Sequence, residues 1–392
     1  MVLIITYADL GKRKNLKTPD ILPLIEFFQK HRILSQVICR IGKEFYFKNT
    51  YSAVPLFLHY LAIGSGRIIN NPTLGRILEE KIFDFFAKRY LKKTDVVFFH
   101  PDYLAPNAYL KAKKIGIITV GMAATAHLSY NAELEKEEFE ILGLKKYYPK
   151  NTIWNKFSRY YNLNYQHDYL IAFSEFAAKT YIKKGMPVDR VFVAYQDIDV
   201  KRFLIPKKIK KNNKKFKVLF VSHISPLKGL HYLLEAWQKL KLKDAELIIV
   251  GGYSEIPTPL KKKYEEIIKK DSTIKWIGFT KKPELYYQSA SIFVFPSLTE
   301  GNPRVILEAM ASGLPVITTE NAKSLVENGK NGFVVPIRNT EAIKEKIEFF
   351  YYNREMIEKM GEEARKTIEN KKPFSEMVFE IYKEILKREG LN

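Results

Sequence analysis

The chain has 392 residues, of which 46% are hydrophobic and 28% charged, with one cysteine and a net charge of +22. That length holds two or three domains; the composition excludes a disordered chain, and one cysteine excludes a disulfide framework or a cysteine-based metal site. The charge suits an anionic partner such as nucleic acid, anionic lipid or a phosphorylated substrate, although abundant Lys, Ile, Tyr and Phe also give this balance on compositional grounds alone.

The chain opens on a short apolar strand, 2–7, with no basic stretch before it and no cleavage site after it. No signal peptide is therefore expected, and the expected location is cytoplasmic, at or near the inner face of the membrane. Its loop reads Ala8-Asp9-Leu10-Gly11-Lys12-Arg13-Lys14. One glycine with three cations can meet a phosphate, so Gly11 is a candidate substrate contact. Further apolar strands are expected at 35–41, 95–99, 115–120, 168–173 and 191–194, with helices at 20–31, 74–91, 102–114 and 174–185. The largely apolar stretch 51–69 is interrupted by Pro55, His59 and Gly64-Ser65-Gly66 and closed by Arg67. Its length and interruptions favour a buried helix and loop over a membrane span, and a face dipping into a membrane is the alternative.

The run from Lys207 to Lys215 is rich in like charges and reads as a solvated linker. Strands then recur at 217–222, 246–250, 273–277, 292–295, 315–318 and 333–335. Helices are expected at 228–240, 257–270, 282–289, 303–312, 323–328 and 340–352. Strands alternating with helices in both halves imply two doubly wound parallel sheets. Beyond 353 the chain reads as helical, with a break at Lys372-Pro373. Phe374, Val378, Ile381 and Ile385 recur at helical spacing in its last segment.

The densest chemistry follows strand 292–295. A loop carries Glu300 and Gly301, Asn302 is placed as an N-cap, and Pro303 suits the first helical position. The helix runs through Glu308 and stops at Gly313. Free N–H groups at such a helix start favour an anion such as a diphosphate, and Glu308 can accept hydrogen bonds from a vicinal diol. A plainer reading also exists, because the macrodipole favours carboxylates near any helix start. Strand 217–222 leads into Ser222-His223-Ile224-Ser225-Pro226-Leu227-Lys228-Gly229. Lys228 ends a strand-to-helix loop, where a lysine can neutralise a departing diphosphate.

The order strand, Glu300-Gly301 loop, Glu308, Ala309-Met310-Ala311 and Gly313-Leu314-Pro315-Val316 resembles the signature of the family-4 retaining glycosyltransferases. The resemblance is strong over about 168–340 and faint before it. It implies two facing Rossmann-like domains with a cleft between them, the GT-B type. Residues 1–200 would be the acceptor side, 201–216 a basic linker and 217–372 the nucleotide-sugar domain. A last helix in 373–392 would return to the first domain. It further implies that Glu300 faces the donor sugar, that Glu308 binds the nucleotide ribose, and that His127, after strand 115–120, faces the donor. His100 is a second candidate. Gly301, Asn302, Arg304, Val305 and Thr280 are expected on the substrate. Lys228-Gly229 match the family's Lys-Gly, whereas Ser222-His223 replace its Gly-Arg, so a single imidazole stands where a charged fork is usual. Asp199 and Phe203 match a family turn in which Gln196-Asp197 replace Asn-Gly.

The resulting expectation is a retaining, metal-independent hexosyltransferase of cell-envelope glycan biosynthesis. Its donor would be a UDP- or GDP-linked sugar, with no cofactor and no metal. Its acceptor would be a lipid-linked or cell-surface glycan, reached at an anionic membrane surface from the cytoplasmic side. A soluble enzyme acting on a small sugar or polysaccharide is the alternative. A glycoside hydrolase fits less well. Eight positions with a helical rise set Glu300 and Glu308 about 10 Å apart, against about 5–5.5 Å for a retaining pair. A nucleic-acid binder explains the charge but none of the motifs, so nucleic acid is not expected. A non-catalytic relative that only binds remains open through the His223 replacement.

Overall fold

The computed structural model describes residues 1–10, 21–41, 49–68, 72–103, 105–148, 167–203, 215–254 and 256–391. The chain divides into two units. One comprises Met1–Ser129, Pro149–Asp197 and Lys372–Asn392, and the other Tyr130–Tyr148 and Ile198–Lys371. The Gly11–Lys14 loop and the linker lysines up to Lys214 lie outside the described residues.

The first unit is built on strands β1 (Val2–Asp9), β2 (Leu34–Ile41), β3 (Thr50–Ser52), β4 (Val96–His100), β5 (Ile118–Ala123), β6 (Tyr169–Ala172) and β7 (Val191–Val193). They form one sheet in the order β3-β2-β1-β4-β5-β6-β7, with every pair parallel. Such a sheet is covered on both faces, so its central strands are apolar throughout rather than alternating. In β1, Val2 and Ile4 enter one core and Leu3 and Ile5 the other. This is the period-two alternation of a pleated strand. Helices α1 (Ile21–Lys30), α2 (Leu56–Ile68), α3 (Pro72–Tyr90), α4 (Pro106–Lys114), α5 (Leu128–Ile141) and α6 (Glu175–Lys183) connect the strands. Strand β3 and helix α5 add to the elements expected from the sequence, and within stretch 51–69 residues Leu56–Ile68 form the single helix α2.

The second unit holds β8 (Phe216–Val221), β9 (Ala245–Val250), β10 (Ile274–Gly278), β11 (Ile292–Phe295), β12 (Val316–Thr319) and β13 (Gly332–Val335). The sheet order is β10-β9-β8-β11-β12-β13, again all parallel. Its helices are α7 (Leu230–Leu240), α8 (Thr258–Lys270), α9 (Glu284–Ser289), α10 (Arg304–Ala311), α11 (Thr340–Tyr352) and α12 (Arg354–Glu369). Both units are thus Rossmann-like.

Two differences from the sequence reading have clear causes. Residues 130–148, assigned to the first domain, pack with the second unit. Leu134, Phe139 and Leu144 enter its core, and the fully buried Glu138 accepts from Arg338 Nε at 2.8 Å and Tyr232 Oη at 2.9 Å, with His231 Nε2 at 2.8 Å. The helix expected at 323–328 is instead a run of turns. Ser324 has φ of 49°, and its hydroxyl donates to Asn302 Oδ1, so this backbone follows side-chain bonding rather than helical spacing.

The last helix, α13 (Phe374–Arg388), belongs to the first unit. Phe374, Val378, Ile381, Tyr382 and Ile385 are buried in the Val2–Ile4 core. Asp197 accepts from the Phe374 N–H at 3.1 Å, so this carboxylate serves the free helix start that Pro373 leaves uncapped. The Gln196-Asp197 departure therefore has a local purpose. Among the described residues, no helix is long and apolar enough to cross a membrane.

A buried acid follows β4. Asp102 accepts from Tyr181 Oη at 2.6 Å, while its Oδ1 has no hydrogen-bond partner among the described residues. Burial pushes its carboxyl up from 3.8 to about 7, against the Tyr181 bond. A raised folded-state value favours the protonated form, so the stability it contributes is complete below pH ~4 and is lost as pH rises through about 7. In urea titrations between pH 4 and 8, Asp102→Asn should flatten this loss; an unchanged pH slope would contradict the assignment.

Candidate active site

Strands β8 and β11 are neighbours at the point where the sheet order reverses, and their carboxyl ends leave two loops side by side. Such a switch point is where doubly wound sheets bind ligands. The loop after β8 closes in a short 3-10 turn, Pro226–Lys228, followed by Gly229 at φ 68°. A Cβ on Gly229 would lie 2.1 Å from the Pro296 carbonyl oxygen, so only glycine permits this approach. Leu298 N–H donates to Leu227 O at 2.8 Å and ties the loops together. As a result, Lys228 Nζ donates to Glu300 Oε1 at 2.5 Å, and the Ser297 hydroxyl reaches the same oxygen at 2.7 Å. The Lys228 and Glu300 side chains are 14% and 12% exposed, so the pair is shielded from water on most sides.

Helix α10 begins one residue later than the sequence suggests. Pro303 is its N-cap and makes no side-chain cap bond. Asn302 is not the cap, because its Oδ1 is taken by Ser324. Its buried Nδ2 has no hydrogen-bond partner among the described residues, which leaves a donor at the helix start. Gly301 is buried in the same loop, and Arg304 and Val305 open the helix. Glu308 accepts from Tyr287 Oη at 3.0 Å, and Tyr287 also reaches Val305 O at 3.3 Å. Burial pushes the Glu308 carboxyl up; the Tyr287 bond and the charges of Arg304 and Arg202 oppose it. Arg202 is itself held by Glu284 at 2.8 Å.

Lys228, Glu300, Gly301, Asn302, Arg304, Val305 and Glu308 thus all lie on the two loops and one helix that start at this switch point. His223 follows β8 as well and is exposed. Gly251, at φ 140°, packs against its neighbour: a Cβ there would stand 1.7 Å from Ser222 O. Thr280 lies beyond β10, at the sheet edge, and its hydroxyl accepts from Lys282 N–H at 3.1 Å. It caps a turn there. Gly11 lies outside the described residues.

His127 is in the first unit, just past β5. Its Nδ1 accepts from the Ser129 backbone N–H at 3.3 Å, and its ring meets Tyr181 edge-on at 5.0 Å. An accepting Nδ1 puts the proton of a neutral ring on Nε2, which makes that nitrogen a donor. His100 instead pairs with Thr6 Oγ1 at 3.3 Å, and burial pushes its pKa down to about 4. That fits a neutral histidine bonded at the end of β4.

Sequence reasoning missed Ser297, Tyr287 and Arg202. Ser297 stands three residues before Glu300, which is a usable signal. Tyr287 and Arg202 reach the site only through tertiary packing. Among the described residues no group of three or more His, Cys, Asp or Glu side chains could hold a metal ion.

Residues 201–367 match the family model described as glycosyl transferases group 1. The chain is 35% identical over 153 residues to an uncharacterized glycosyltransferase of Haemophilus influenzae, covering 38% of this chain and 43% of that protein. It is 31% identical over 163 residues to the capsular polysaccharide biosynthesis glycosyltransferase CapM of Staphylococcus aureus, covering 41% and 43%. The chain therefore spans less than half the length of these relatives. Its fold is similar to that of Anabaena Alr3699/HepE, solved in complex with UDP and glucose, at a TM-score of 0.65 and 16% identity over 99% of this chain and 100% of that one. That likeness concerns the fold, two Rossmann-like units, and covers the first unit as well as the second. Residues 201–367 are thus similar to the glycosyl transferases group 1 family.

Proposed function

We propose that this protein is a retaining glycosyltransferase that moves a hexosyl group from a UDP- or GDP-linked sugar to a glycan or lipid-linked acceptor of the cell envelope. The observation that carries the reading is the shielded Lys228–Glu300 pair beside the start of α10. The printed names of the relatives support it: one serves capsular polysaccharide biosynthesis, and the structural neighbour was solved with UDP and glucose. The acceptor side lies where the resemblance is faint and Gly11 is undescribed, so a lipid-linked acceptor rests on the charge and on the apolar stretch 51–69.

In this mechanism the diphosphate replaces Glu300 as the partner of Lys228. The freed Glu300 carboxylate accepts from donor-sugar hydroxyls. Asn302 Nδ2 and the first N–H groups of α10 face the diphosphate oxygens. Glu308 accepts from the ribose diol. His127, with its proton on Nε2, is assigned to the sugar or the reacting phosphate, and His223 to the diphosphate. The acceptor oxygen bonds to the anomeric carbon on the face the leaving group occupies. The bond between that carbon and the phosphate oxygen breaks, its electron pair leaves with the diphosphate, and the acceptor proton is taken up there. Side-chain cations do the work of an ion, so the reaction is metal-independent.

Lys228→Ala should lower turnover at least ~100-fold without loss of fold, the scale of one preorganised charge. Glu300→Gln should also lower turnover yet bind free nucleoside diphosphate roughly fivefold more tightly, since a competing partner worth about 1 kcal/mol is gone. Unchanged turnover in Lys228→Ala, or weaker diphosphate binding in Glu300→Gln, would contradict the exchange.

For Glu308, replacement by Ala should cost about 1–3 kcal/mol in affinity for the free diphosphate as well as for the sugar donor, and replacement by Gln less. Calorimetric titration checks this, and equal binding by the Ala variant would reduce Glu308 to a helix-surface carboxylate.

Excess EDTA should leave transfer intact. Loss of activity restored by Mn²⁺ or Mg²⁺ would overturn the metal-independent mechanism.

A further inference from the structure

We infer that the outward face of α2 and α3 in the first unit docks on an anionic lipid bilayer. On α2, Phe57, Tyr60 and Leu61 are 66%, 65% and 64% exposed. They stand at i, i+3 and i+4 and so form one stripe. His59, between them, turns inward to Glu79. On α3, which packs beside α2, Leu78 and Phe85 are also exposed. Large side chains gathered on neighbouring helices differ from apolar residues scattered singly, which need no explanation.

The charges on these helices are sorted. The sequence of α2 contains no acidic residue. The three acidic residues of α3 all face inward: Glu79 accepts from Tyr7 Oη and Arg40, Glu80 from Arg76, and Asp84 from the backbone N–H groups of Asn107 and Ala108. Lys81, Lys88 and Arg89 are exposed. Among the described residues, the outer face of the two helices thus joins apolar groups to cations and shows no carboxylate. A solvated helix mixes both signs on its surface. A second copy docked through this face would set cation against cation. An anionic bilayer offers both an apolar layer for the stripe and phosphates for the lysines. With no helix long and apolar enough to cross a membrane among the described residues, the face lies on the surface rather than through it.

This surface extends the proposed lipid-linked acceptor by naming where the first unit would meet its membrane. Its test reads binding alone, so it stands or falls separately from transfer. The full chain is floated with vesicles of phosphatidylglycerol and phosphatidylcholine, or of phosphatidylcholine alone. Wild type should float with the anionic vesicles at low salt, should not float with the neutral ones, and should detach as salt screens the lysines. The triple variant Phe57→Ser, Tyr60→Ser, Leu61→Ser should partition at least tenfold less. Because the three side chains are already exposed, its thermal melt should match wild type. Lys81→Glu with Lys88→Glu tests the same face independently and should cost roughly fivefold or more for each cation lost. Val188→Ser with Tyr352→Ser removes apolar groups that are 71% and 73% exposed elsewhere and should change nothing. No flotation of wild type with anionic vesicles at low salt would overturn the proposal. So would equal flotation of the triple and charge-reversed variants, or light scattering that shows a wild-type dimer which the triple variant makes monomeric.

Discussion

One close approach holds the candidate site together. The backbone at Gly229 comes so near the Pro296 carbonyl that no side chain fits between them. That contact fixes the loop after β8 against the loop after β11 and brings an ammonium to 2.5 Å from a carboxylate. Neither group is fully hydrated, so each needs the other while the site holds no ligand. Glu300 therefore holds the Lys228 ammonium at the carboxyl ends of β8 and β11, where the proposed diphosphate would sit. In the proposed mechanism a diphosphate takes over the lysine because it brings more negative charge to the same ammonium and adds the N–H groups of α10. In that mechanism the pair is a placeholder for the diphosphate.

The second unit was legible because its signals are local. Parallel strands buried on both faces read as apolar runs, and Gly313 and Pro315 mark the end of one element and the start of the next. The Lys228-Gly229 and Glu300-Gly301 pairs read as motifs because each is a short pattern directly after a strand, although the contacts they make, Gly229 with Pro296 and Lys228 with Glu300, span long separations. Where side chains bond across long sequence separations, the same reasoning failed. Asn302 looks like an N-cap until Ser324, 22 residues later, claims its oxygen. The 323–328 segment looks helical for the same reason in reverse. Helix α5 shows five glutamates in eight positions, Glu133 to Glu140, and no clear apolar face; its burial depends on Glu138 meeting His231 and Arg338. No local pattern announces such a partner.

The first unit illustrates the same limit on the side of function. Its sheet was readable from apolar runs, yet which face of stretch 51–69 points outward was not. Only the structure shows that His59 turns in with Glu79 while Phe57, Tyr60 and Leu61 turn out. The Gln196-Asp197 replacement likewise reads as a reshaped turn in sequence and as a helix cap in the fold. Departures from a motif are thus not all losses: Asp197 has a use in this chain, whereas the exposed His223 offers one imidazole where the family has a charged fork.

The central claim is that the loops after β8 and β11, with the start of α10, hold a nucleoside diphosphate through Lys228. The most direct measurement is a thermal-shift panel of UDP, GDP, ADP and their sugar conjugates on the full chain, run beside Lys228→Ala. Linkage predicts that one nucleoside diphosphate raises the melting temperature selectively, that its sugar conjugate does so as well, and that the variant loses most of the shift. No stabilisation by any diphosphate, or an equal shift in the variant, would contradict the account.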